Sequence, residues 1–386
     1  MRKPLLAVAL LLAAAPAVAK DEAALNHVFE SADRFDADLF TPSGPALVTM
    51  GTSPRRATEP GAVQDFAVDL GSVSDAAGSH FALAFSTVPF WWGANGLTLK
   101  EYREETSSMT RILARTQASI GVATAGGDEI NALRSALGFQ TQLLDAQDHR
   151  FDVESSQCIH EAWQTFRRAA HEKALQNIGA AILDAEEKGG SADDIDLDAL
   201  LLAELAKGSD AAYRSARESC QDGAIRRLIA KPSWLVGLGA AVRSEKDAWG
   251  DLDYDGLSAW TSYRQPLFDK GRYAAFGFLR GDMDRVFDFD DGGAAEGDAY
   301  TAGIGLAYQT PRLRVDLSAA HTHRSFSEGG YGDDSFQQYG ATMDVRLFEG
   351  FWIEASGGFL ASSDLVEGAY GSLSLKVSWG DYLPGF

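Results

Sequence analysis

The stretch that decides the fold is "YTAGIGLAYQTPRLRVDLSA", residues 300–319. Tyr300, Ala302, Ile304, Leu306 and Tyr308 alternate with small or polar residues. After the tight link "QTPR", Leu313, Val315, Leu317 and Ala319 alternate with Arg314, Asp316 and Ser318. A period of two is the spacing of a strand whose two faces meet different media. Two such strands on either side of a short turn read as an antiparallel hairpin.

The pattern continues in both directions. Trp234, Val236, Leu238, Ala240 and Val242 precede it; Tyr339, Ala341, Met343, Val345 and Leu347 follow, then Phe351, Ile353, Ala355, Gly357 and Phe359, and lastly Leu373, Leu375, Val377 and Trp379. With two less regular segments at 254–265 and 271–282, the region 233–386 reads as eight strands. The links alternate in length. "PLFDKG" (266–271), "QTPR" (309–312) and "FEG" (348–350) are tight, whereas 245–253, 283–297, 324–334 and 361–368 are long and acidic or glycine-rich. Outer-membrane barrels have this asymmetry, with short turns on the periplasmic side and long loops outside. Upstream, alternation at 64–70, at Phe81, Leu83 and Phe85, at Ile112, Ala114, Ala118, Ile120 and Val122, and at Leu137, Phe139 and Leu143 predicts four more strands in 63–154. The expected total is about twelve.

Between the two strand regions lies a segment of another kind, residues 155–232. Ile159, Trp163, Phe166, Ala170 and Ala174, and later Leu197, Leu201, Leu205 and Tyr213, recur at helical spacing on either side of Gly189-Gly190. This predicts an α-helical hairpin, which the turn rule hangs on the periplasmic side. The chain has two cysteines, Cys158 and Cys220, each 31 positions from Gly189. An antiparallel hairpin folding there brings them side by side, so a disulfide is expected in an oxidising compartment.

The amino terminus, "MRKPLLAVALLLAAAPAVAK", has a basic start, an apolar run and the small-residue signature Ala17-Val18-Ala19, and reads as a cleaved signal peptide over 1–19. Removing Arg2 and Lys3 takes the net charge from −21 to −23. So acidic a chain excludes a nucleic-acid partner. Residues 20–62, with Pro42, Pro45, Pro54 and Pro60, show no period and read as an irregular N-terminal periplasmic segment.

Alternation alone also fits a soluble sandwich. Strands of about ten residues match a tilted bilayer crossing, whereas ordinary strands run about five or six. Aromatic residues at strand ends (Phe90-Trp91-Trp92, Trp234, Tyr300, Tyr308, Phe351, Phe359, Trp379) suit interfacial girdles. The face opposite the apolar one is too small and polar for a dry core. The signal sequence, the alternating strands and the terminal Phe386 together resemble Gram-negative outer-membrane β-barrel proteins, although Pro384 and Gly385 interrupt the run before Phe386. The resemblance is one of class and implies no particular activity. The expected fold is an all-β transmembrane antiparallel β-barrel with an inserted helical hairpin, in the outer membrane and surrounded by its lipids.

If the apolar face meets lipid, parity points Arg314, Asp316, Asp344, Arg346, Glu354 and Lys376 into the lumen. Cross-strand pairing is expected to set Arg314 opposite Asp344, Glu354 opposite Lys376, and Arg346 diagonal to Glu354, as a belt of alternating charge. Two acidic stretches suggest weak surface binding of Ca²⁺ or Mg²⁺: "DLDYDG" with Asp251, Asp253 and Asp255, and "DMDRVFDFDDGG" with Asp288, Asp290 and Asp291. The first lacks the acidic twelfth ligand, having Ser262 there. No other cofactor is expected. "HTHRS", with His321, His323 and Ser325, raises a serine-hydrolase reading without any acyl-transfer motif around it. The leading functional expectation is a channel or export-system component whose hairpin plugs the lumen or docks a periplasmic protein partner. A non-conducting scaffold is the alternative, and a lipid hydrolase the third reading.

Overall fold

The structure is a computed structural model describing residues 45–50, 66–73, 78–86, 107–125, 132–144, scattered positions between 146 and 177, 211–244, 251–268, 271–288, 294–327, 332–348, 351–361 and 368–379. The expected signal peptide, the Phe90–Trp92 girdle, the turn at Gly189, Asp290, Asp291 and Phe386 lie outside these residues.

The described strands are β1 (Phe66–Val73), β2 (Gly78–Ser86), β3 (Thr116–Ala125), β4 (Ala132–Gln142), β5 (Ser233–Ser244), β6 (Asp253–Phe268), β7 (Tyr273–Asp288), β8 (Ala294–Gln309), β9 (Leu313–Phe326), β10 (Asp334–Phe348), β11 (Phe351–Ala361) and β12 (Gly368–Trp379). Each is antiparallel to its sequence neighbour, and β1 pairs with β12 from Phe66↔Trp379 to Val73↔Ser372, so the sheet closes into a barrel without an open edge.

The two faces differ in kind. On β8 and β9 the outward side carries Tyr300, Ile304, Leu306 and Leu317, with Ile304 71% exposed, while the inward side buries Thr301, Arg314, Asp316 and Thr322. Leu70, Ile120, Leu137, Leu238, Leu279, Met343, Phe359 and Leu373 extend the apolar exterior around the barrel. From Leu313 to His323 the outward positions of β9 span about 34 Å along the strand, or about 25 Å of height at a tilt near 40°, the thickness of an outer-membrane apolar band. So extensive an apolar exterior has no stable exposure to water. It requires hydrocarbon around it, which makes this an outer-membrane barrel.

Among the described residues the helices α1 (Pro45–Met50), α2 (Ser108–Ala114) and α3 (Ala211–Ile229) accompany the strands, and residues 161–166 are helical as well. At α2 the structure departs from the sequence reading, which counted Ile112 and Ala114 into a strand. Ser107 caps this helix by accepting a hydrogen bond from Thr110 N (3.2 Å), and β3 begins only after Arg115. A second departure is at Gly256, whose φ of +93° accommodates a bulge between β5 and β6. The extra residue reverses parity beyond it, and Asp255 is turned from the outer face into the lumen.

Candidate functional site: the lumen

The short helix α1 lies inside the barrel, where all six of its residues are buried. Pro45 suits the first turn of a helix, having no N–H to leave unpaired. Ala46, Leu47 and Met50 form one apolar cluster with Ala82, Ala123, Ala136 and Ala241 on the inner faces of β2–β5. The wall is small there because the helix occupies the space. A Cβ added to Gly138 would come within 2.4 Å of the Pro45 carbonyl carbon, and one on Gly239 within 2.0 Å of Thr49 Oγ1. Gly121 is similarly close to Met50 Cε, at 2.8 Å.

Polar contacts fix the helix at both ends. Ala46 N donates to Ser119 Oγ (2.6 Å). At the other end, the buried Arg285 guanidinium donates to the Thr49 carbonyl and to that of Met50 (3.0 Å), and Ser258 Oγ lies 3.4 Å from the Thr49 carbonyl. Carbonyls at a helix C-terminus lack intrahelical donors, and a guanidinium supplies them. Arg285 is in turn flanked by Asp255 (4.0 Å), which pairs with Arg134 at 3.3 Å and accepts from Val286 N.

The opposite arc of the wall holds the charge belt. Arg314 meets Asp316 at 2.8 Å and Lys376 meets Glu354 at 2.7 Å, all four side chains being almost wholly buried. Asp344 stands in register with Arg314 on one side and Glu354 on the other. One detail differs from the sequence reading. The residue directly opposite Lys376 is Trp352, and Glu354 faces Ser374, so that ion pair runs diagonally across a two-residue offset. Arg346, two positions from the residue facing Glu354, reaches Asp222 of α3 at 4.0 Å. Sequence reasoning did not single out a further group, Arg280 with Asp282 (2.6 Å) and Ser258 Oγ donating to Asp282 (2.5 Å). Buried ions without partners are strongly unfavourable, which is why these arrive as pairs.

Aromatic rings fill more of the interior. Those of Phe276 and Phe278 lie over Gly305 and Gly303, and Trp260 lies over Gly237, each where any side chain would collide with the ring.

At the end carrying the tight turns, α3 contributes the buried cluster Cys220, Ala224, Ile225, Leu228 and Ile229. Arg264 of β6 donates to the Ile229 carbonyl (2.9 Å) and to the Gly271 carbonyl (3.3 Å), tying the helix to the wall. Arg312 in the β8–β9 turn lies 3.7 Å from Glu218. Cys158 and Cys220 form a disulfide with Cα atoms 5.8 Å apart.

The described members of the acidic stretches lie apart. Asp251 and Asp253 are exposed, Asp255 is committed to Arg134 and Arg285 inside the barrel, and Asp288 ends β7. Among the described residues no group of three potential metal ligands exists. His321 and His323 face outward on β9, and the serine within reach of His323 is Ser335 of β10, with Nδ1 and Oγ 2.9 Å apart, rather than Ser325.

No family model matches the chain, and no curated protein does. Solved structures do match: an outer-membrane channel from Pseudomonas putida F1 (8% identity, 84% of this chain and 100% of that one, TM-score 0.41), the NanC porin (7%, 81% and 98%, 0.35) and the channel DcaP of Acinetobacter baumannii (7%, 81% and 72%, 0.31). Likeness at this level is one of class, that of Gram-negative outer-membrane β-barrels. The assignment itself stands on the closed sheet and its apolar exterior.

Proposed function

We propose that the protein is an outer-membrane conduit stoppered by its own N-terminal segment. The observation that carries this reading is α1. It is no part of the sheet, and it sits in a cradle of glycine and alanine shaped to it. A side-chain-filled barrel needs no such insert, since about eight strands already fill their own interior. A wider barrel with a removable helix suits gated passage.

The wall of such a passage is charged. Among the described residues its charges come in opposed sets: Asp253 stands in register with Arg243 and Asp69 with Lys376, and Arg346 lies 4.0 Å from Asp222, beside the ion pairs already named, so a passage freed of α1 is lined by alternating charge. α3 and its disulfide would hold the tight-turn mouth narrow, or offer a face to a periplasmic partner.

The test is conductance in a planar bilayer. The parent protein should give small or rare steps, and a variant in which residues 45–50 are replaced by a Gly-Ser linker should give large, frequent ones. Silence from both proteins, each folded by its heat-modifiable gel migration, would favour the scaffold reading instead.

A further inference from the structure

The lipid-facing wall carries a recess that the conduit reading does not use. The cross-strand row Trp234↔Tyr263↔Gly277↔Ile304↔Ala319↔Tyr339 climbs from the tight-turn end of β5 into the loop half of β10. Gly277, Ala302 and Ala319 are small and form its floor, while larger neighbours such as Leu279 and Ile304 stand up around them, leaving a space of about 840 Å³. Its upper end is polar. His321 and Gln337 line it and face each other across the β9–β10 pair; in the next step toward the loops His323 pairs with Ser335.

All four polar residues are exposed on the outer surface of the barrel. His321 makes no hydrogen bond among the described residues. Polar side chains on the lipid face are unfavourable by an amount that grows with depth and is small only near the interface. His323 lies beside Tyr300, and His321 lies one outward step below it. The four residues therefore form a ledge at the outer boundary of the apolar band, directly above an apolar recess.

We propose that this recess is a binding site for one outer-leaflet acyl lipid. Its chain lies over Gly277, Ala302 and Ala319, and its ester or phosphate oxygens accept hydrogen bonds from His321 and Gln337. The occupant is a lipid because the recess opens within the belt already in contact with hydrocarbon, and no second protein is needed to cover it. The ledge explains why the chain binds in one direction: Gln337 Oε1 already accepts from the Tyr339 hydroxyl, so its Nε2 and the His321 ring are the donors that an outer-leaflet lipid reaches.

The test uses the full chain, delipidated in mild detergent and then equilibrated with mixed micelles containing phosphatidylglycerol, with bound lipid counted by native mass spectrometry. One retained lipid per barrel is expected. Filling the floor with Ala302→Phe should lower retention about tenfold, and so should removing the donors with the pair His321→Leu and Gln337→Leu, which leaves the floor untouched and covers the case in which Ala302→Phe fails to fold. Diacylglycerol, lacking the phosphate, should be retained if ester oxygens suffice and lost if phosphate is the partner. Retention unchanged in the variants, a mass corresponding to two chains seated through this face, or no retained lipid at all would each overturn the proposal. Conductance of the stopper-deleted variant is measured separately, so the failure of one reading leaves the other standing.

Discussion

Substituting Gly138 by alanine tests whether α1 is a stopper, because the three atoms nearest the added methyl all belong to that helix. Gly138 faces the lumen from the middle of β4, where an L-residue is at home, and its added Cβ would lie 2.4 Å from Pro45 C and 2.7 Å from Ala46 N. Ordinary contact needs about 3.5–4.0 Å between carbons, so the helix must retreat by about 1 Å or leave. Leu47, Val48 and Met50 each contribute about 1.5–3 kcal/mol by full burial. Their sum exceeds the about 1–3 kcal/mol that overpacking typically costs. The docked state therefore survives as the major one, but the undocked fraction should rise about 5- to 150-fold. Two assays read this. The fraction of time spent conducting in a planar bilayer should increase by that factor, and a cysteine placed at Val48, wholly buried in the parent, should react correspondingly faster with a membrane-impermeant maleimide. Gly277→Ala is the control: its Cβ would point outward, at an ordinary 3.7 Å from the Gly303 carbonyl oxygen, and should change neither reading. If a folded Gly138→Ala protein conducts and labels like its parent, α1 is not a displaceable stopper and the reasoning fails.

Two further outcomes follow from the same geometry. Lys376→Met leaves Glu354 buried without its 2.7 Å partner and should lower barrel stability in detergent by about 3–5 kcal/mol, read from the temperature at which gel migration shifts; the double change with Glu354→Leu should recover most of the loss. Reducing Cys158–Cys220 should speed protease nicking of α3 while the strands stay protected, because the bridge closes a long loop worth about 2–4 kcal/mol to the insert rather than to the sheet; equal nicking rates with and without reductant would contradict this.

The parts of this molecule legible in its sequence are those whose physics is local. Alternation on β8 and β9 needs only neighbours two apart, and the outward or inward facing of Ile304 and Arg314 follows from counting along a single strand. Counting fails where the backbone gains a residue. Asp255 reads as a surface ligand from the carboxylate spacing of "DLDYDG", and counting back along the odd, outward positions of β6 from Leu257 also sets it outside; the bulge at Gly256 that turns it inward has no marker except a glycine that a calcium-loop reading also wants. Counting fails again at α2, where Ile112 and Ala114 fit a strand until the cap at Ser107 is considered.

The stopper is illegible for a stronger reason. "PALVTM" is too short to show a helical period, and a six-residue helix has no stability of its own, since nucleation alone is unfavourable and isolated helices below about 12–15 residues are marginal. Its fold is set by residues far along the chain: Ser119, Gly138, Gly239, Ser258 and Arg285. Seen one at a time, those residues are unremarkable, and the glycines look like the small inward residues any barrel might carry. Their meaning is collective. An inner wall has no reason of its own to leave Gly121, Gly138 and Gly239 without side chains on neighbouring strands, because an empty patch there forgoes packing that β-branched residues would supply. A wall kept bare over one patch, while the opposite arc carries Arg314, Asp344, Glu354 and Lys376, is shaped around a guest. That asymmetry, rather than the helix itself, is the signal to seek in other barrels whose N-terminal segments lack any period.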